Sequence, residues 1–137
     1  FVTIAATDLE ATRRFYRVLG WQPLLDVDGE IIFYQSAPGQ VLGFFLAEKF
    51  NADLAVAGDH SRVSGLTLAH NVESQQDVIA VVDAMAAAGG IVLKSPQPGQ
   101  FGGVFHAHVQ DPNGAIWEIA HNPGWSIDAD GTVRLGD

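Results

Sequence analysis

The sequence contains no cysteine. That excludes disulfide scaffolds, thiolate metal sites, iron–sulfur clusters and cysteine nucleophiles together. Cations are also scarce: 7 Lys and Arg stand against 16 Asp and Glu, a formal net charge of −9. A nucleic-acid binder needs a basic footprint. Three of the seven cations, Arg13, Arg14 and Arg17, fall in one short stretch, so nucleic acid is not an expected partner. No apolar run reaches the ~18–20 residues of a membrane span. The chain opens Phe-Val-Thr without a basic segment leading into an apolar one. The expectation is therefore no signal peptide, no membrane partner and a cytoplasmic location. No glycine-rich loop precedes a helix, and Gly102-Gly103 opens a strand, so a nucleotide fingerprint is missing. A serine-hydrolase elbow is missing as well.

What remains is a globular chain of 137 residues, 47% hydrophobic and 17% charged, enough for one domain with its own core. Phe1–Ala6 reads as a strand. Asp8 is a helix N-cap, with Glu10 in the first turn and Ala11, Phe15, Val18 and Leu19 at helical spacing. Gly20 stops this helix. Residues 21–26, 30–35 and 40–47 read as three strands, divided by Asp28-Gly29 and Pro38-Gly39. A polar and Ala-rich connector follows over residues 48–62, with room for a helical turn.

The pattern then restarts. Residues 63–69 read as a strand, and Asn71 as the cap of a helix carrying Val78, Val81, Val82 and Met85. Residues 91–95 form a strand, 96–99 a loop, and 103–110 and 115–121 a hairpin around Asp111-Pro112-Asn113-Gly114. The order β-α-β-β-β thus occurs twice, with Thr7-Asp8-Leu9-Glu10 matching His70-Asn71-Val72-Glu73 at an offset of 63. One domain of two modules is expected: residues 1–47, the connector 48–62, residues 63–121 and a tail, 122–137.

Two stretches carry a family resemblance: Asp8-Leu9-Glu10 … Phe15-Tyr16 … Leu19-Gly20-Trp21, and Gly102-Gly103 … Asp111-Pro112-Asn113-Gly114-Ala115-Ile116-Trp117-Glu118. Together they resemble the vicinal oxygen chelate superfamily, the fold of glyoxalases, bleomycin-resistance proteins and extradiol dioxygenases. The resemblance implies an α+β fold of two tandem βαβββ modules. Their strands would form a cupped, mostly antiparallel eight-stranded sheet around a cavity, with the helices outside. It also implies a divalent metal held by one residue from the first and one from the last strand of each module. Carried over, those positions are Phe1, Gly43, Ser64 and Glu118, of which only Glu118 is a ligand. One carboxylate does not hold a catalytic divalent ion. No bound cofactor is therefore expected, although a metal on Glu118, His108 and His106 stays open.

His106 and His108 are two apart on a strand and share a face. A type I turn with a glycine bulge sets His108, ten residues before Glu118, opposite it. The resemblance makes that position cavity-facing, so His108 and Glu118 are the candidate catalytic pair. A carboxylate beside an imidazole raises its pKa and makes a proton shuttle. The expected cavity lining is Phe1, Gly43, Phe45, Ser64, His106, His108 and Glu118, with further aromatics from Phe33, Phe44, Phe101 and Phe105. Trp117 alternates with Glu118 and is expected in the core, whereas Trp125 in the tail is placed to cover the cavity or an interface. His70 is expected to be structural, His121 to leave with the tail, and His60 to be solvated.

Two functions follow. One is a metal-independent small-molecule binding protein resembling the bleomycin-resistance members, with the charge of −9 suiting a cationic antibiotic. The other is a lyase, isomerase or dioxygenase-type enzyme using the His108/Glu118 cluster with His106, with or without a metal. The resemblance further implies a homodimer.

Overall fold

Strand β1 (Val2–Ala6) leads into helix α1 (Leu9–Tyr16) through Asp8, whose carboxylate accepts from the Ala11 N–H. A 3-10 turn (Arg17–Leu19) follows, and Gly20, at φ 73°, ends it in the left-handed region that glycine tolerates. Strands β2 (Pro23–Val27), β3 (Ile31–Ala37) and β4 (Gln40–Leu46) complete the first module. Part of the expected connector is a full helix, α2 (Ala47–Leu54). The second module holds β5 (Thr67–Asn71), α3 (Gln75–Ala87), β6 (Ile91–Pro98), β7 (Phe105–Gln110) and β8 (Ile116–His121). The tail adds a hairpin of β9 (Trp125–Ile127) and β10 (Val133–Leu135). This computed structural model describes residues 1–100 and 102–135.

The expected β-α-β-β-β order occurs twice. The strands form two four-stranded sheets, ordered β1-β4-β3-β2 and β5-β8-β7-β6, rather than one sheet of eight. Each is mostly antiparallel, with one parallel pair, β1 with β4 and β5 with β8.

Three local expectations need correction. Asn71 does not cap α3, because β5 continues through it. The cap is Ser74, whose hydroxyl accepts from the Asp77 N–H. The two caps, Asp8 and Ser74, are therefore 66 residues apart rather than 63. Ser64 consequently precedes β5 and is exposed. Finally, β6 runs on through Pro96 to Pro98, where a loop is expected. Register shifts on both sides of Lys94 admit this proline to the strand.

One core joins the modules. Ile4, Ile32, Tyr34, Leu42 and Phe44 from the first sheet meet Ala107, Val109, Trp117 and Ile119 from the second, with Phe15 and Tyr16 of α1 and Val78, Val82 and Met85 of α3. The Asp111–Gly114 turn is pinned to the first module by the Asn113 amide, which donates to Thr12 Oγ1 at 2.8 Å. Alternation along each strand fixes the consequence. Residues such as Gly43 and Glu118, which alternate with this shared core, lie on sheet faces turned away from it. No helix among the described residues is long and apolar enough to cross a membrane.

Candidate functional site

The site is built on the outer face of the second sheet. In β7 the core takes Ala107 and Val109, leaving His106 and His108 outward. The turn after β7 sets the register. Asp111 N–H donates to the Ala115 carbonyl at 2.8 Å, and Gly114 N–H to the Asp111 carbonyl at 3.1 Å. The Asp111 carboxylate also accepts from the Asn113 and Ala115 N–H groups. The resulting hairpin pairs His108 with Glu118 and His106 with Ala120.

The side chains pair differently from the backbone. Glu118 Oε1 lies 2.6 Å from Nδ1 of His106, its diagonal neighbour, so the partner of Glu118 is His106 rather than His108. On the neighbouring strand, Lys94 Nζ lies 2.7 Å from Nε2 of the same ring. An ammonium has donors only, so Nε2 is the acceptor in this contact. That leaves the ring proton on Nδ1, directed at the carboxylate. His106 is thus held in one tautomer with both nitrogens engaged. The His108 ring is 5.4 Å from that of His106. Burial lowers the His108 pKa, and this outweighs the opposing pull of Glu118, while His106 and Lys94 lower it further. The expectation of a raised pKa at His108 is therefore reversed: desolvation wins over the carboxylate.

Lys94, His106 and Glu118 open into a cleft of about 540 Å³ that Gln97, Val104 and Trp125 also line, whereas His108, expected in the lining, is not part of it. Its size is that of a small-molecule site. Trp125 forms one wall from the tail hairpin.

The other candidate residues lie elsewhere. Phe1, Gly43 and Phe45 are on the first module and line no part of this cleft. Phe1 is 86% exposed and meets Phe33 edge-on at 6.1 Å. At Gly43 a Cβ would come within 2.7 Å of the Phe33 ring, so the glycine makes room for Phe33. Phe44 is buried in the core. Phe101 lies outside the described residues. Across β5 the residue paired with Glu118 is Ala69, which offers no ligand atom. His70 is half-buried on β5, and burial lowers its pKa. His121 ends β8 rather than leaving the sheet, with Nδ1 3.3 Å from the Val72 carbonyl. His60 is exposed, near the Ala57 carbonyl at 3.1 Å.

One ligand atom each from His106, His108 and Glu118 lie within 4.8 Å of one another. As the side chains stand, both ring nitrogens of His106 are already engaged. Metal ligation needs a ring lone pair, and the one that His106 offers, on Nε2, is in contact with Lys94, which a metal would have to displace. His108 and Glu118 alone fall short of the three protein ligands of a catalytic site.

Lys94 is the member of this cluster that the sequence pattern does not reveal. The signal was alternation along β6, but bulges on both sides of Lys94 break the period that would have assigned it a face.

A family model described as Glyoxalase/Bleomycin resistance protein/Dioxygenase superfamily matches residues 1–119. Among solved structures, a glyoxalase-related enzyme from Fulvimarina pelagi is 40% identical, with 99% of this chain and 96% of that chain covered, at a TM-score of 0.88. A glyoxalase/bleomycin resistance protein/dioxygenase family enzyme from Burkholderia phytofirmans PsJN is 20% identical, covering 88% and 95% at a TM-score of 0.72. Lactoylglutathione lyase from Agrobacterium tumefaciens is 22% identical, covering 88% and 90% at a TM-score of 0.66. A comparison with curated proteins found no match.

Proposed function

The chain belongs to the glyoxalase/bleomycin resistance protein/dioxygenase superfamily, and we infer that within it this member binds a small organic molecule over its second sheet without a divalent metal. The observation that carries this reading is the double engagement of His106, by Glu118 at 2.6 Å and by Lys94 at 2.7 Å. A metal would have to displace one of these partners. The size of the cleft and its mixture of Trp125 and Val104 with a few polar groups support small-molecule binding.

A second reading, acid–base catalysis of the lyase or isomerase type, is favoured by the Glu118–His106 contact itself. A carboxylate that orients an imidazole is the arrangement of a general base. Two copies of the chain pairing through the uncovered outer sheet faces would give either activity a closed site.

The test is a thermal-shift screen of small aromatic and carbonyl compounds against protein purified without a histidine tag and treated with a chelator. Stabilisation by members of the set, reduced in Trp125→Ala, is expected. Stabilisation that appears only after a divalent ion is restored would overturn the metal-independent reading.

A further inference from the structure

We propose that Lys94 is a carbonyl-reactive amine, activated by His106 and Glu118, and that the cleft condenses with aldehydes carrying an apolar body. The proposal rests on the reading of the cleft as the binding site and goes beyond it in assigning a covalent step.

The geometry is that of a relay. A nucleophile within about 2.6–3.2 Å of a base, which a third group orients in turn, is the signature of an activated nucleophile. Here Lys94 Nζ is 2.7 Å from His106 Nε2, and His106 Nδ1 is 2.6 Å from Glu118 Oε1. The carboxylate fixes the tautomer that leaves Nε2 bare toward the amine. In water, an alkylammonium gives its proton to imidazole reluctantly, the model groups being about four units apart. A carboxylate on the far nitrogen stabilises the imidazolium that the transfer creates. The amine sits in an open cleft beside Val104, Pro98 and Trp125, which offer an apolar seat for the rest of the molecule.

The step balances without an oxidant or reductant. His106 Nε2 takes a proton from the ammonium, and the free amine nitrogen bonds to the carbonyl carbon as the C=O π bond breaks. A second proton moves from nitrogen to the alkoxide, giving a carbinolamine. His106 returns its proton to that hydroxyl, which departs as water and leaves a protonated imine. Ammonium and aldehyde have become iminium and water, with charge conserved.

The sequence supplies an internal control, since Lys49 and Lys94 are the only lysines. Lys49 lies on the surface, paired with Glu30 at 3.1 Å. The experiment treats the full chain with benzaldehyde and cyanoborohydride, and follows benzylation of each lysine by peptide mass spectrometry over time. Lys94 is expected to be labelled at least tenfold faster than Lys49, and His106→Gln is expected to bring it down to the Lys49 rate. Equal rates at the two lysines, or a fast Lys94 that His106→Gln leaves unchanged, would overturn the proposal. Benzyl alcohol, which has the ring but no carbonyl, separates the two levels. Shifts of the Trp125 indole resonance by benzyl alcohol, without preferential labelling of Lys94, sink the imine and spare the binding site. No response to either compound sinks both.

Discussion

Tyr16 and Asp111, 95 residues apart, share a buried hydrogen bond of 2.7 Å in which the phenol donates to the carboxylate. The same phenol oxygen accepts from the Trp117 indole at 2.9 Å. Tyr16 thereby ties α1 of the first module to the hairpin that carries the candidate site. Burial raises the pKa of Asp111, while its hydrogen bonds oppose that shift. Removing the Tyr16 hydroxyl leaves a buried carboxylate and an indole each short of a partner. Tyr16→Phe is expected to cost about 1–3 kcal/mol of stability, read by urea unfolding. A loss near zero would mean that water replaces the phenol.

Lys94 stands where a metal would approach His106. Lys94→Met removes the competing ammonium and frees Nε2 beside His108 and Glu118. Zinc affinity measured by calorimetry is expected to rise at least tenfold over the parent protein, a change of about 1.4 kcal/mol. Unchanged zinc affinity would show that Lys94 is not what keeps a metal out.

Acid should weaken the fold through two imidazoles. Burial lowers the pKa values of His70 and His108 below the ordinary imidazole value of 6.5. A depressed folded-state pKa favours the neutral ring, so its contribution is present above pH 6.5 and is lost as pH falls below that value. Chemical denaturation at pH 7.5 and at pH 5 is expected to show lower stability in acid, with a smaller loss in His70→Gln and in His108→Gln. Equal losses in all three proteins would contradict the assignment.

Leu25 on the first sheet and Ile91 and Leu93 on the second are at least half exposed. The proposed pairing of two copies would cover these side chains. Light scattering after gel filtration is expected to give twice the chain mass of 14.6 kDa. A monomer at every concentration would contradict the pairing.

The elements with strong local chemistry were legible in the sequence. Asp8, Gly20 and the Asp111–Gly114 turn each act within a few residues, and the turn placed His108 opposite Glu118. Three things were not legible. Asn71 and Ser74 are both good caps, and pairing of β5 with β8 decided between them by extending the strand through Asn71. The separation of Phe1, Gly43 and Phe45 from the His/Glu cluster depends on which sheet faces share the core, which no local pattern encodes. The choice of His106 over His108 as the partner of Glu118 is a matter of diagonal side-chain reach, invisible to backbone register.

The proposed metal-independent site requires that His106, held between Glu118 and Lys94, stay closed to metal. It is tested most directly by 15N NMR of the histidine rings, recorded before and after an equimolar addition of zinc. The expected result is a His106 ring whose Nδ1 stays directed at Glu118 and whose resonances do not change on adding zinc. A joint shift of the His106 and His108 ring nitrogens to metal-bound positions would contradict it.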